Sequence, residues 1–597
     1  MRASEVQQNE RVYDAPVLLI LAILSLVSLF WYYSHNELLL YGDAVAHINI
    51  ARRVIDNRSW LSSPFQLGTV WLPLQHVAML PFVWNNRLWQ TGVAGSIPSM
   101  IAYVLGGMGI FRLVSGMAPT LRQRQAQNGA PTSSTTLRQP QSKDGAPLPP
   151  TLRQNTAQNG APTASLLPAS VATAIYAFNP NLLYLQTTAM NEPIYIAFFI
   201  WALVYLQEML HADAADGAAG ESGRRTARER AMEHCGICLA GGAWTRYDGW
   251  FTGAVVGVIV VVVAARWWRR ESSAGRRRAL AKSLIEFLLL SALIPVLWLA
   301  YNHRVSGRAM DWANGPYSAK AISARTTPPG APLYPGQERP IAAAQYFLKA
   351  AQLNMGNVPW GPALLALALL GTAAAIWRFR RYKVSLLLWL PLIFYALSLA
   401  YGSVPIFIPT WWPFSYYNVR YGLELLPVFA VFPVVLATFV AERLPRGRLV
   451  VAWALLLACV SWCYLTAWEV VPITLREARA NSRTRLAMED ALAQFLSHIP
   501  KGSTILMYEG SHVGALQRAG IPLKDVISEV SHPDWEWALL DPARKADYIV
   551  AFKGDPVWMS ANQHRSELQE GLTITVPGQE QCKIYQPISR PPLPQKP

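Results

Sequence analysis

The chain has little charge for its length. Only 15% of its 597 residues are charged, whereas 52% are hydrophobic. Windows of about 18 or more apolar residues recur, which is typical of membrane-spanning helices rather than of a soluble core. Five cysteines are too few for a disulfide framework. No small-x-small cleavage site follows the first apolar stretch, so we expect an uncleaved helix rather than a signal peptide.

The sequence also lacks a second cysteine pair that would complete a zinc site with Cys235-x-x-Cys238. Because this pair lies in an apolar helical stretch, we interpret both thiols as packing residues. The same interpretation applies to Cys459 and Cys463, which lie four residues apart.

The apolar stretches predict eleven transmembrane helices followed by a small soluble α/β domain, so the predicted fold class is a polytopic α-helical membrane protein. The expected helices are at about 15–34, 96–115, 168–187, 193–210, 229–245, 249–266, 284–301, 359–377, 384–401, 421–441 and 448–467. The weakest of these are the two within 229–266, because about 38 residues are barely enough for two crossings of roughly 20 residues each. One crossing at 249–266 is the competing interpretation, and it would invert everything downstream.

Basic residues alternate between the loops and give the orientation. Half of the 52 lysines and arginines lie in the N-terminus and in every second loop, whereas the opposite loops are poor in them. The positive-inside rule therefore predicts a multi-pass inner-membrane protein with residues 1–14 in the cytoplasm and the C-terminal domain outside. The net charge of +16 then reflects contact with anionic lipid, and no nucleic-acid partner is expected.

Three segments stand apart from the transmembrane domain at 15–467. Residues 35–95 form an outer loop that we expect to contain juxtamembrane helices. Residues 117–167 repeat Thr-Leu-Arg-Gln and (Asn/Asp)-Gly-Ala-Pro with almost no apolar content, which predicts a disordered cytoplasmic linker. Residues 468–597 alternate a charged helical stretch, 474–498, with short strand-like runs, which predicts an extracytoplasmic α/β domain.

This topology places several polar and aromatic residues at the outer ends of the helices. They are Asp43, His47, Arg52, Glu192, Arg246, Asp248, Trp412, Arg420 and Tyr421. Carboxylates, guanidinium groups and aromatic rings on one face suit group transfer from a lipid-borne phosphate donor. A base would deprotonate the acceptor, cations would hold the leaving phosphate, and aromatic rings would bind a sugar or prenyl chain.

Each of these residues also has a structural interpretation. Asp43 could cap the helix that begins near Ala44, and Glu192 could only favour the dipole of its helix. Arg52 could be an interfacial residue whose stem lies along apolar surface. Arg420 could only anchor its helix. A non-catalytic scaffold would predict no convergence of the acids and cations in space.

The order and sidedness of these motifs resemble the GT-C superfamily of membrane glycosyltransferases, which use polyprenyl-phosphate sugars and include protein O-mannosyltransferases and lipid A aminoarabinose transferases. The matching segments are Gly42-Asp43, the amphipathic 44–56, Trp71-x-Pro73-Leu74-x-His76, Asn179-Pro180…Glu192, Thr245-Arg246-Tyr247-Asp248-Gly249 and Arg420-Tyr421. The chain departs from the superfamily in carrying Ala44, where mannosyltransferases often have a second acid, and in lacking a Trp-Trp-Asp motif, so a peptide-asparagine acceptor is not expected.

The resemblance implies an inverting glycosyltransferase on the outer face of the membrane. Asp43 and Glu192 would be the catalytic acids, and Arg420, Arg246 and Arg52 would bind the donor phosphate. The acceptor or sugar would contact His47, Tyr421, Asp248 and Trp412. The expected partners are a polyprenyl-phosphate sugar, a lipid, glycan or protein acceptor, and the bilayer. The sequence establishes no cofactor, although a divalent cation between Asp43 and Glu192 remains an option. The alternative function is a transporter or lipid flippase.

Overall fold

We describe a computed structural model of the chain, which covers residues 2–57, 66–117, 163–212, 225–327, 330, 332–443, 446–510 and 512–589. The linker predicted at 117–167 lies outside the described residues except at its two ends. At the second end, a helix already begins at Thr163, so residues 163–167 belong to the folded part of the chain.

Helices dominate the first four fifths of the chain. They are α1 (Arg2–Ser34), α2 (Gly42–Ile55), α3 (Leu74–Val83), α4 (Asn86–Thr91), α5 (Val93–Ser115), α6 (Thr163–Ala177), α7 (Pro180–Leu185), α8 (Glu192–His211), α9 (Ala227–Thr245), α10 (Tyr247–Arg270), α11 (Ala274–Ser306), α12 (Asp311–Asn314), α13 (Ala319–Thr326), α14 (Pro340–Met355), α15 (Trp360–Trp377), α16 (Phe379–Tyr382), α17 (Leu390–Tyr401), α18 (Leu426–Ala441) and α19 (Arg446–Glu469). Short 3₁₀ segments at Ser385–Trp389 and Val419–Leu425 lead into α17 and α18.

Within the described ranges, eight helical segments are long and apolar enough to cross a membrane. They lie at Asp14–Ser34, Val93–Ser115, Glu192–His211, Tyr247–Arg270, Ala274–Ser306, Trp360–Trp377, Val419–Ala441 and Val450–Leu496. The three other expected crossings, 168–187, 229–245 and 384–401, are also helical, but two of them are shortened by a break or a 3₁₀ turn, and α9 is less apolar. The prediction of a polytopic helical membrane protein is confirmed.

The expected helix at 168–187 is broken in two at Asn179-Pro180. The Asn179 side chain accepts a hydrogen bond from the Leu182 amide, and Pro180 occupies the first turn of α7. Both are residues that favour a helix start. The break leaves room for the buried turn at 186–190 that leads to Glu192.

The helical hairpin of α9 and α10 is as tight as its short sequence requires. Arg246 alone separates the two helices, and its backbone is extended, with φ −149° and ψ 153°. A Cβ atom at Gly249 would lie 2.3 Å from the carbonyl oxygen of Gly242. Only glycine therefore allows the two helices to approach this closely, and Arg246 is presented at the tip of the hairpin.

The C-terminal part is the predicted α/β domain. It comprises α20 (Ile473–Leu496), β1 (Ile505–Met507), α21 (Val513–Ala519), β2 (Val526–Ile527), α22 (Asp534–Leu540), α23 (Pro542–Lys545), β3 (Tyr548–Phe552), α24 (Pro556–Gln563), β4 (Leu568–Ile574) and β5 (Cys582–Pro587). The sheet order is β2-β1-β3-β5-β4, with β1 parallel to β2 and β3, and β5 antiparallel to β3 and β4. Leu506, Ile527 and Ile549 pack in a core on one face.

This domain is packed on helix α2 of the outer loop. Asn49 donates a 2.8 Å hydrogen bond to Gln517, which itself donates to the carbonyl oxygen of Trp89 at 2.6 Å. Arg53 pairs with Glu509, a residue that is 3% exposed. Buried polar contacts of this kind fix two surfaces in one orientation, so the soluble domain has a defined position beside α2.

The eleven crossings expected from the sequence would place the two chain ends on opposite sides of the bilayer. We expect alkaline phosphatase fused after the C-terminal domain to be active in bacterial cells and green fluorescent protein at the same position to be dark. Fusions between α10 and α11, at Glu271–Ser273 within the basic stretch 266–282, should give the reverse result. Fluorescence from the C-terminal fusion would contradict this orientation.

Candidate active site

Four residues of the sequence-predicted site surround the guanidinium groups of Arg420 and Arg246. They are Asp43, Glu192, Asp248 and Tyr421. Arg420 begins the 3₁₀ segment before α18 and is 5% exposed. Its Nη2 atom lies 2.5 Å from Asp43, and its Nε atom lies 3.1 Å from Glu192. The first turn of α2, the start of α8 and the 3₁₀ segment before α18 are therefore brought together by a single side chain.

Arg246 forms the second centre of the cluster. Its Nε atom lies 3.0 Å from Asp248, and its Nη1 atom lies 3.3 Å from Glu192. Its Nη2 atom lies 3.2 Å from Glu424 and donates to the Tyr395 hydroxyl at 2.6 Å. Because the same Glu192 oxygen, Oε1, contacts both guanidinium groups, Glu192 joins the two centres into one network.

The ring of Tyr421 lies between the two cations. The guanidinium carbon of Arg246 is 5.0 Å from the ring centroid, and that of Arg420 is 5.1 Å from it. These distances are within the range of cation–π contacts. Tyr421 thus separates two positive groups that would otherwise repel each other, and it fixes the spacing between them.

Two buried acids of this network are absent from the sequence-predicted site. Glu477, on α20 of the soluble domain, lies 3.4 Å from Nη1 of Arg420 and accepts a 3.3 Å hydrogen bond from the Arg420 backbone amide. Glu424 pairs with Arg246, as given above. A signal for Glu477 exists in the sequence, because it lies one helical turn after Ile473, where an acid interrupts the buried side of the helix.

Solvent reaches the network at one carboxylate. The side chain of Asp43 is 45% exposed, whereas those of Glu192, Asp248, Glu424 and Glu477 are at most 2% exposed. Five carboxylates therefore share two guanidinium groups, and a substrate can approach only the first of the five. Asp43 is thus the accessible carboxylate of the cluster, and the Arg246 side chain beside the buried acids is 12% exposed.

Asp43 does not cap its helix. The N-cap of α2 is Tyr41, which makes no side-chain capping bond, and Asp43 lies in the first turn. Its carboxylate is directed to Arg420 instead. The capping interpretation of Asp43 is therefore wrong. Its carboxylate pairs with Arg420, which is distant in the sequence, and not with the backbone of its own helix.

His47 lies one turn further along α2, and it pairs with a second histidine. Its Nδ1 atom is 2.9 Å from Nε2 of His76, and its ring is 4.7 Å from the ring of Trp71. Burial, together with the positive charges of Arg420 and Arg246, lowers the pKa of His47 to about 3. His47 is therefore neutral at physiological pH and can act only as an uncharged donor or acceptor.

Arg52 is not brought to the cluster. Its guanidinium group pairs with Asp56 at 2.8 Å, donates to the carbonyl oxygen of Val83 at 2.6 Å and lies over the ring of Trp89. These contacts join α2 to the segment after α3. The structure therefore gives Arg52 a packing role and does not support the prediction that it binds donor phosphate.

Trp412 lies on a loop of exposed aromatic residues between α17 and Arg420. Its carbonyl oxygen accepts a 2.9 Å hydrogen bond from Tyr346, and its side chain is 41% exposed. A second residue of this loop, Tyr417, is near enough to Asp43 for the carboxylate to raise its pKa, although burial is the larger cause. The loop thus places aromatic surface beside the accessible acid.

The carboxylates are held by cations of the protein itself. Within the described ranges, no group of three or more histidine, cysteine, aspartate or glutamate side chains is arranged to hold a metal ion. The divalent cation considered between Asp43 and Glu192 therefore stays a prediction, and Arg420 occupies the position between those two acids.

Comparisons with known proteins identify the class of fold. No protein-family model matches the chain, and no curated protein sequence matches it. Among solved structures, the chain is similar to ArnT from Cupriavidus metallidurans bound to undecaprenyl phosphate, with a TM-score of 0.52, 12% identity and coverage of 98% of this chain and 99% of that one. The same protein in the apo state gives a TM-score of 0.52 at 11% identity, covering 97% and 98%.

The archaeal oligosaccharyltransferase AglB from Archaeoglobus fulgidus is a more distant likeness. Its complex with an inhibitory peptide and a dolichol-phosphate gives a TM-score of 0.42 at 13% identity, and it covers 91% of this chain and 70% of that one. ArnT and AglB are both members of the GT-C superfamily. The likeness to ArnT over the full length of both chains shows the fold, and the GT-C-like architecture predicted from the sequence is confirmed.

Replacing Arg420 tests whether this network holds the fold together. Arg420→Ala would leave Asp43, Glu192 and Glu477 without their shared cation, and loss of one partner of a buried ion pair costs roughly 3–5 kcal/mol. We expect a clearly lower unfolding temperature by intrinsic tryptophan fluorescence in detergent. The control is Asp490→Asn, which breaks a pair with Arg518 whose acid is 60% exposed and should change stability by less than about 0.5 kcal/mol. Equal unfolding temperatures would refute the structural importance of Arg420.

Proposed function

We propose that the chain is a membrane glycosyltransferase that transfers a sugar from a polyprenyl phosphate to a lipid, glycan or protein acceptor on the outer face of the cytoplasmic membrane. The observation that carries the proposal is the pairing of the one accessible carboxylate, Asp43, with the buried guanidinium group of Arg420. A base next to a phosphate-binding cation is what transfer from a phosphate-linked donor requires. The full-length likeness to an ArnT structure bound to undecaprenyl phosphate supports this assignment.

The proposed reaction is a single displacement with inversion at the anomeric carbon. Asp43 takes the proton of the acceptor hydroxyl as its oxygen attacks the anomeric carbon, and the bond from that carbon to the phosphate oxygen breaks. The electron pair leaves with the polyprenyl phosphate, and the protonated Asp43 releases its proton to solvent. General-base catalysis of this kind contributes about 10²–10⁴-fold to the rate.

Arg420 and Arg246 would stabilise the negative charge that develops on the leaving phosphate. Both are held by buried acids before substrate binds, so they need no rearrangement during the reaction. A phosphate at Arg420 would compete with Asp43 for the Nη2 atom. Donor binding would thereby release the carboxylate from its ion pair at the moment when it is needed as a base.

The remaining predicted contacts fit this arrangement in different ways. Glu192 would act by fixing both guanidinium groups rather than by touching substrate, since it is fully buried. Asp248 likewise orients Arg246. His47, one helical turn from Asp43, and the exposed ring of Trp412, on the same loop as Tyr417, would bind the acceptor or sugar. A transporter would instead place charged groups near the middle of its helices, whereas here they meet at the helix ends.

Replacing the proposed base tests the reaction directly. In proteoliposomes supplied with a panel of synthetic polyprenyl-phosphate sugars and an extract of envelope lipids, we expect Asp43→Asn to lower the transfer rate by about 10²–10⁴-fold. Binding of undecaprenyl phosphate should remain, because both guanidinium groups are intact. Asp534→Asn, on the exposed surface of the soluble domain, is the control.

Two results would contradict the proposal. Transfer by Asp43→Asn at the wild-type rate would remove Asp43 from the mechanism. Absence of transfer by the wild-type protein with every donor of the panel, together with donor-independent movement of lipid across the bilayer, would favour the flippase alternative.

A further inference from the structure

The turn that leads into α2, the helix of Asp43, is contacted by a side chain of the soluble domain. Nη2 of Arg485, on α20, donates to the carbonyl oxygens of Leu39 at 3.1 Å and Leu40 at 2.9 Å. These two residues immediately precede Tyr41, the N-cap of α2. The backbone position from which the Asp43 helix starts is therefore fixed by one side chain of another domain.

Arg485 is itself fixed by the fold of that domain. Its Nη1 atom lies 2.8 Å from both carboxylate oxygens of Glu489, which is 1% exposed. A Cβ atom at Gly514 would lie 2.4 Å from a Glu489 oxygen, so α21 packs directly against this carboxylate. The guanidinium group is thus oriented by two helices of the soluble domain before it reaches the turn.

The start of α2 is also held through Tyr41, whose ring centroid lies 5.0 Å from the guanidinium carbon of Arg420. Tyr41 gives no side-chain cap, although its hydroxyl donates a 2.8 Å hydrogen bond to the carbonyl oxygen of Thr474, also on α20. A Cβ atom at Gly42 would lie 4.0 Å from Nε of Arg485, so the guanidinium group lies beside the residue that precedes Asp43. A shift of Arg485 would therefore move the start of α2 and with it the carboxylate.

We propose that Arg485 is a positioning residue for Asp43, and that the folded soluble domain is in this way a working part of the active site. The proposal rests on the proposed function, in which Asp43 is the base. Displacement of a catalytic group by about 1 Å costs on the order of 10²-fold in rate. Arg420 and Arg246 do not contact Arg485, so donor binding does not depend on it.

The test compares Arg485→Ala and Arg485→Lys with the wild-type full-length protein in proteoliposomes. For Arg485→Ala we expect kcat to fall by roughly 10–100-fold, with the KM for the polyprenyl-phosphate sugar and the affinity for undecaprenyl phosphate unchanged. Millimolar guanidinium ion should partly restore kcat by filling the vacated place. Arg485→Lys should be intermediate, because an ammonium group cannot reproduce the planar fork that serves Glu489 and both carbonyls.

The matched control is Arg483→Ala, which removes an exposed arginine two residues away on the same helix and should leave turnover unchanged. Wild-type kcat in folded Arg485→Ala, or an equal loss in kcat and donor affinity without rescue, would overturn the proposal. If Arg485→Ala does not fold, Arg485→Lys decides, since wild-type turnover by that variant would refute positioning by the guanidinium fork. If Asp43→Asn is also fully active, the proposed function has failed; if only Arg485→Ala is, the positioning role alone has failed.

Discussion

The burial of the Arg420 guanidinium group is the constraint on which the rest of the site depends. A cation that is 5% exposed is tolerated in a protein interior only when opposite charges and hydrogen bonds compensate for its lost hydration. Its carboxylates come from three distant segments: the first turn of α2, the start of α8, and α20 of the soluble domain. Compensating one charge therefore requires the membrane part and the soluble domain to fold against each other.

The cluster is possible because several helices stop where it forms. The break at Asn179-Pro180 makes room for the turn before Glu192, the single extended residue Arg246 ends one helix and starts the next, and a 3₁₀ segment carries Arg420. In a bilayer, irregular backbone and charge are tolerated where they are buried in protein or line a wet cavity. The irregular helix ends and the ion pairs therefore occur at the same place, because both must be buried in protein or line a wet cavity.

The sequence predicts part of this site because charge is conspicuous in an apolar chain. Asp43, Glu192, Arg246 and Arg420 could be assigned to one face from the basic loops alone. Arg52 lies away from the cluster because nine residues at about 100° each place it on the opposite side of α2 from Asp43. Glu477 lay in a segment interpreted as a separate domain, and no pattern within that segment reveals which face of the membrane part it covers.

A shared fold does not by itself assign a reaction, and identity of 12% to ArnT leaves the chemistry to be argued from the residues. The five carboxylates of the charge network differ in their exposure to solvent. Four carboxylates are buried and paired with guanidinium groups, as in structural ion pairs, but the fifth, Asp43, pairs at least as closely while it faces solvent. A purely structural pair gains less at such a position, because solvent screens an exposed carboxylate. The accessible acid therefore calls for a functional explanation, and a base beside a phosphate-binding cation supplies one.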